Sequence, residues 1–356
     1  MSVRLFSTMS IDNVFIDAGG GPAPINLAAE LPTLGMRHPG VESHFRRNHF
    51  SPPPVDPDMW ALALGGAMSE AMVIPAVSLR TFEHRTLPVV LECAGHRRAE
   101  IHPPARGLQW ATGAVSEAAW TGVSLGDVLR RAGIAPDVVE VVLRGADSGA
   151  GEHPGVHAYA RSLPIEKALH PDTLLAFEMN GEPIPVAYGG PVRAIVPGWY
   201  AMDSVKWLPS IRGVTRPFTG PFQAVDYRWR EPGVHGPGTR IDRLSVHALI
   251  TSPASDESLR AGPAVIRGAA WAGEAHVARV EVCVDDGPWE VAEIERRGIY
   301  ARALWRHEVE LAPGVRRLAV RATDRRGATQ PERPVPNAGG YCANAVHRVS
   351  VAVEEG

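Results

Sequence analysis

The chain has 356 residues, enough for two or three domains at about 100–200 residues each. It is 45% hydrophobic and 21% charged with a net charge of −3, so nothing in the balance asks for nucleic acid or an anionic membrane surface. No apolar run approaches the roughly 18–20 residues of a spanning helix. The start, MSVRLFSTMSIDNVF, has no basic and apolar leader pattern and no twin-arginine pair, so a cytoplasmic location is expected. Cys93, Cys283 and Cys342 form no CxxC, which leaves zinc ribbons, thioredoxin-type sites and c-type haem attachment unsupported. The 36 glycines and 32 prolines argue for many turns and against a helical bundle.

Residues 1–40 read as a loop-like arm, with Gly19-Gly20-Gly21-Pro22 too poorly flanked for a phosphate loop. VVLEC (89–93) is a compact strand. Ser124 to Arg131 is a helix: Ser124 caps it, Asp127 lies three residues on, Leu125, Val128 and Leu129 share a face, and Gly133 ends it. VVEVVLRG (138–145) is a strand, and a short helix near Pro164–Leu169 takes Ser162 as its cap. Asn180-Gly181 is a tight hairpin turn. From about residue 241 the pattern alternates. VEVCVDDGPWEVAEI (280–294) flanks an Asp-Gly turn, and VRRLAVRATDRRG (315–327) and HRVSVAVE (347–354) follow as strands. The fold class is α+β: an arm at 1–40, a mixed α+β domain at 41–240, and an immunoglobulin-like β-sandwich at 241–356.

Three segments carry candidate chemistry. In LECAGHRRAE (91–100), Cys93 ends a strand, meets Ala94-Gly95 and precedes Arg97 and Arg98. Nearby guanidinium groups favour a thiolate, which suits a soft metal ligand or a nucleophile. A buried core cysteine is the plainer alternative. HFRRNHFSPPP (44–54) reads as an exposed basic loop or as an anion-binding one. The spacing of His44 and His49 does not suit a helical zinc pair. In FEMNGEPIPVAYGGPVRAIVPGWYAMDSVKWL (177–208), Arg193 and Lys206 sit in apolar surroundings, where a charge needs a partner or an escape to solvent.

Together these segments resemble the sulfite oxidase family. LECAGHRR is similar to its CAGNRR motif, HFRRNH to its xRNH motif, and 174–208 to the stretch around its pterin pocket. WTGVSLGDVL from Trp120, FQAVDY (222–227) and the end of the chain from Asn337 to Arg348 fit as well, so the resemblance spans about 40–350. It implies a molybdenum cofactor (Mo-molybdopterin) with Cys93 as the protein's sulfur ligand to the metal. It places Arg47, Arg98 and Tyr227 with Cys93 in the catalytic pocket. It places Arg47, Asn48, His49, Cys93, Asp147, Tyr188, Arg193, Ser204, Val205 and Lys206 on the cofactor. It implies oxidation of a small oxyanion, sulfite, by oxygen-atom transfer. Neither haem nor flavin is expected on the chain, so a separate acceptor, a cytochrome or oxygen, takes the electrons. A homodimer is implied too; nucleic acid and membrane partners are not.

Three positions depart from the family pattern. His96 replaces the Asn of CAGNRR, Tyr188 stands where a cofactor-contacting His is usual, and Gly339 stands where animal sulfite oxidases place a substrate-binding Arg. Losing one guanidinium from a buried oxyanion pocket costs on the order of 2–4 kcal/mol. The rival readings are a reductase of nitrate or of an S- or N-oxide on the same fold, a cysteine-dependent hydrolase with His and carboxylate beside Cys93, and a non-catalytic binding protein.

Overall fold

Short β-branched and apolar runs, broken by Gly, Pro and Asn turns, make strands the main element of this chain. The computed structural model describes residues 25–355; the expected glycine run at 19–21 lies outside them. The first half holds β1 (Ala61–Gly66), β2 (Met72–Pro75), β3 (His84–Glu92), β4 (Val115–Ser124), α1 (Leu125–Arg131), β5 (Glu140–Ala150), β6 (Val156–Pro164) and α2 (Ile165–Ala168). It continues with β7 (Leu174–Met179), β8 (Glu182–Pro183), β9 (Arg193–Ile195), β10 (Ser210–Val214) and α3 (Pro221–Ala224). One sheet runs β2-β1-β10-β5-β6, with only the β1–β10 pair parallel. The other runs β3-β4-β7-β8, with β9 also paired to β7. A continuous apolar cluster joins Leu62 of β1, Leu143 of β5, Leu175 of β7 and Ile211 of β10 to Leu125, Val128 and Leu129 of α1.

Helix α1 follows its sequence signals. Ser124 Oγ accepts from the Asp127 amide at 3.3 Å, a cap worth about 1 kcal/mol, and Gly133 adopts a left-handed φ of 67° just past the end. The cap expected from Ser162 is not made. Helix α2 starts after Pro164, and the Ser162 hydroxyl donates to Glu140 at 2.9 Å instead. Ser162 lies inside β6, so its side chain points across the sheet rather than along the helix axis.

After a small ribbon of β11 (Arg228–Trp229) and β12 (Thr239–Arg240), strands make up the second half: β13 (His247–Ser252), β14 (Ser258–Arg260), β15 (Gly262–Trp271), β16 (Val277–Val284), β17 (Glu290–Val291), β18 (Glu293–Glu295), β19 (Ala303–Leu311), β20 (Gly314–Asp324) and β21 (His347–Glu354). They form two sheets, β13-β15-β19-β18 and β14-β21-β20-β16-β17. Alternate residues meet between them: Ile250, Ile266 and Trp305 from one sheet, Val282, Val320 and Val351 from the other. The Asp-Gly turn closes the β16–β17 hairpin, with Asp285 and Asp286 at φ 50° and 59°.

The two halves share an apolar cluster. Val90, Ala94 and Tyr227 of the first half pack with Leu249, Ala269 and Trp271 of the second. Residues 25–40 are not a loose arm. Leu34 is buried in that cluster, Ala29 N–H donates to Gly113, and the Arg302 guanidinium donates to the Thr33 and Met36 carbonyls. Burial of Leu34 and the ties to Arg302 offset the entropy of ordering this segment.

Candidate active site

Strand β3 delivers Cys93 to the floor of a cleft. The turn after it is tight. Cys93 N–H donates to Ala114, and His96 and Arg98 amides donate back to Cys93 and Gly95 carbonyls. A Cβ on Gly95 would lie 2.7 Å from the Arg98 guanidinium, so a larger residue at that bend requires the Arg98 side chain to move. Cys93 is a free thiol facing the cleft.

The loop at 44–49 forms one wall and the β9–β10 segment another, so Arg47, Asn48 and His49 face Tyr188, Arg193, Ser204 and Lys206, with Asp147 and Tyr227 also lining the space. Lys206 Nζ donates to the Asn48 side-chain oxygen and, at 3.0 Å, to the Arg47 carbonyl. Burial, then the Arg193 charge, pulls Lys206 down to about 7; burial pushes Asp147 up against the Lys206 charge. Burial lowers Arg193 to about 9, and its guanidinium donates to the Tyr188 and Ser204 carbonyls at 2.6 and 3.0 Å. Burial, then the Arg47 charge, holds His49 well below its ordinary value, so it stays neutral. The Tyr227 hydroxyl and His49 Nε2 share a hydrogen bond at 2.9 Å. Burial raises the Tyr227 phenol, so it keeps its proton as a donor.

Five buried polar atoms on residues lining this cleft have no partner among the described residues: His44 Nε2, Arg46 Nε, Trp120 Nε1, Asp147 Oδ1 and Arg193 Nε. Each costs about 1–3 kcal/mol if left so, and cations with amide and hydroxyl donors suit an anionic, hydrogen-bonding ligand. His44 and Arg46 were missed in the sequence, where the loop offered only Arg47, Asn48 and His49. Their signal was the same HFRRNH segment, but which side chains of a loop turn inward is not legible from spacing.

Two expected residues sit elsewhere. Arg98 does not line the cleft. Its Nε donates to the Gly339 and Gly340 carbonyls at 3.1 Å each and its Nη1 to Leu108 at 2.9 Å. The left-handed turn at Arg97, φ 57°, swings the next side chain toward the second half. Val205 faces the apolar core; its backbone carbonyl accepts from Ala194 at 2.8 Å.

Behind the cysteine lies a second buried cluster. Glu92 accepts from Trp271 Nε1 at 2.7 Å and pairs with His96 Nδ1 at 3.0 Å, while His96 Nε2 meets the Thr112 carbonyl at 3.0 Å. His247 stacks on Trp271 with ring centroids 4.9 Å apart. Glu92, His96 and His247 are close enough together to hold a cation, but the Glu92 oxygens are already bonded. Both ring nitrogens of His96 are engaged, which leaves none for the Cys93 sulfur.

Two family models match the chain. The "Oxidoreductase molybdopterin binding domain" covers residues 49–222, and the "Mo-co oxidoreductase dimerisation domain" covers 239–354. The chain is similar to the sulfite oxidase of Gallus gallus, 33% identical over 328 residues, covering 86% of this chain and 71% of that protein. It spans about 60% of the length of the mammalian mitochondrial sulfite oxidases it also matches. The nitrate reductase [NAD(P)H] of Hordeum vulgare is 33% identical over 371 residues, covering 94% of this chain and 41% of that one. In fold it is similar to the sulfane dehydrogenase SoxCD from Paracoccus pantotrophus, with a TM-score of 0.81 at 22% identity over 99% of this chain and 96% of that one.

Proposed function

Because the chain belongs to the sulfite oxidase family of molybdopterin-dependent oxidoreductases, we propose that it oxidises sulfite to sulfate at a molybdenum centre ligated by Cys93. The single observation that carries this reading is the free Cys93 thiol at the floor of a cleft whose walls hold buried cations and unpartnered polar atoms. That donor set fits a phosphate-bearing pterin. Arg47, Asn48, Arg193 and Lys206 would hold its anionic tail, and Asp147, Ser204 and Tyr188 would complete the pocket. Bound there, the cofactor supplies two-electron oxygen-atom transfer. The chain's own part is orientation and charge. Arg47 would bind the oxyanion, and Tyr227, kept protonated by burial and with its phenol oxygen accepting from His49 Nε2–H, would donate a hydrogen bond to the substrate oxygen.

The organisation that goes with this reading is a catalytic domain at about 41–240 and an immunoglobulin-like domain at about 241–356 that pairs two chains. The electrons then pass one at a time to a separate acceptor, a cytochrome or oxygen. A second reading, reduction of nitrate or of an S- or N-oxide, has one observation in its favour. Residue 339 carries no side chain and the Arg98 guanidinium is turned onto three backbone carbonyls, so neither places a guanidinium in the cleft.

The test is metal analysis and steady-state kinetics on protein from a cofactor-competent host. About one molybdenum per chain with sulfite-dependent electron transfer supports the proposal. Full molybdenum with nitrate or an oxide turned over in preference to sulfite moves the conclusion to the second reading.

A further inference from the structure

The Tyr227 phenol touches the cleft, but its backbone sits at φ 52°, a left-handed conformation that a bulky residue adopts at a cost of about 1–3 kcal/mol. Such a conformation persists only where neighbours hold it. One hold is the Ile241 amide on the Tyr227 carbonyl at 3.0 Å. The other comes from far along the chain. The Tyr341 ring packs on the Tyr227 ring, centroids 5.4 Å apart, and the Arg98 guanidinium caps Tyr341 from 5.0 Å. Burial raises the Tyr341 phenol, against the Arg98 charge and a hydrogen bond from the Tyr227 backbone.

Tyr341 is itself clamped. Its amide donates to the Asn337 side-chain oxygen at 2.9 Å, and the Asn337 side-chain nitrogen donates to its carbonyl at 2.8 Å. The ring folds back over Gly339, where a Cβ would come within 2.2 Å of it. The next residue, Cys342, donates its amide to Ala94, beside Cys93, at 2.8 Å. One short segment thus grips both the cysteine turn and the tyrosine across the cleft.

We infer that Tyr341 is a positioning residue, packed between Arg98 and Tyr227 so as to fix the Tyr227 phenol against His49 at the cleft wall. The inference rests on the reading that Tyr227 serves oxygen transfer beside Cys93. It assigns the glycine at 339 a reason: any side chain there displaces the ring that holds Tyr227.

The experiment is a double-mutant cycle in the molybdenum-loaded enzyme, with a spectroscopic arm that needs no turnover. Tyr341→Ala is expected to lower kcat/KM for sulfite at least about tenfold, with molybdenum content kept, and Tyr341→Phe, which keeps the ring, restores most of that loss. Combined with Tyr227→Phe, Tyr341→Ala adds no further loss, since both act through one hydroxyl. In protein carrying 3-fluorotyrosine at 227, the fluorine resonance moves or broadens in Tyr341→Ala and stays in place in Tyr341→Phe. Losses that multiply in the double variant, or a resonance unmoved by Tyr341→Ala, overturn the inference. If Tyr341→Ala does not fold, Tyr341→Leu, which fills the space without an aromatic face, is judged by the same two readouts. A loaded wild type that does not oxidise sulfite overturns the functional reading alone, and the fluorine arm still decides the positioning.

Discussion

The two sides of the Cys93 turn differ in how their polar atoms are satisfied. On the cleft side, His44 Nε2, Arg46 Nε, Trp120 Nε1, Asp147 Oδ1 and Arg193 Nε are buried without a protein partner. On the far side, Glu92 uses both oxygens, His96 both ring nitrogens and Trp271 its indole N–H; only His247 Nδ1 is left over. The lesson is about what each side is for. A buried group left open costs free energy in the empty protein, so a cluster of them marks space kept for a ligand. A network of the same residue types whose polar atoms are mostly paired with one another fixes geometry instead.

The largest effect should come from the boundary between the two sides. Cys93→Ser is expected to lower turnover by at least about a hundredfold, beyond the 10–100-fold typical of groups around a metal's direct ligands, with little change in melting temperature. Turnover per bound molybdenum measures it, and a serine variant with full activity removes Cys93 from the metal.

Breaking the closed side should instead strike stability. Glu92→Leu strands the Trp271 N–H and the His96 ring in a dry interior, a loss of about 3 kcal/mol in urea unfolding of the cofactor-free chain. An unchanged unfolding midpoint would show that the two sides do not differ as described.

The smallest effect belongs to the open side and depends on pH. Lys206 is pulled down to about 7 in the empty cleft, and a phosphate beside it would restore the ammonium. Binding then takes up a proton, so affinity for pyrophosphate falls as pH rises above about 7, by at most about tenfold per unit. Stability of the empty protein runs the other way. The unfolded lysine holds its proton up to about 10.4, so over that window unfolding takes up a proton and stability rises with pH. Calorimetry at about pH 6.5 and about pH 8.5 checks both, and Lys206→Met should abolish both slopes.

Local features were legible in the sequence because their causes are local. The Ser124 cap, the Asn180-Gly181 and Asp286-Gly287 turns and the alternation of 347–354 each follow from a few adjacent residues. The ordered motifs also brought out the loop at 44–49, the Cys93 turn and the 188–206 stretch, which share one cleft. What was not legible joins distant positions. Arg98 reaches a carbonyl 241 residues away, and Glu92 meets Trp271 across 179 residues. Spacing carries no record of such contacts. Ser162 failed for a related reason: a serine before a helix caps it only if the strand it sits on lets the side chain turn that way.

The Arg97 side chain donates to the Ala345 carbonyl at 2.6 Å, and with Cys342 on Ala94 it ties the cysteine turn to the last stretch of the second half. That bears on modularity. A graft of residues 49–222 onto a different C-terminal partner would carry every cleft-lining side chain within those bounds and still lose the backbone that seats the Cys93 turn. The unit that can be exchanged between relatives is therefore a discontinuous one, 92–98 together with 337–346, and recombination that separates the two should give chains that assemble but hold the cofactor loosely.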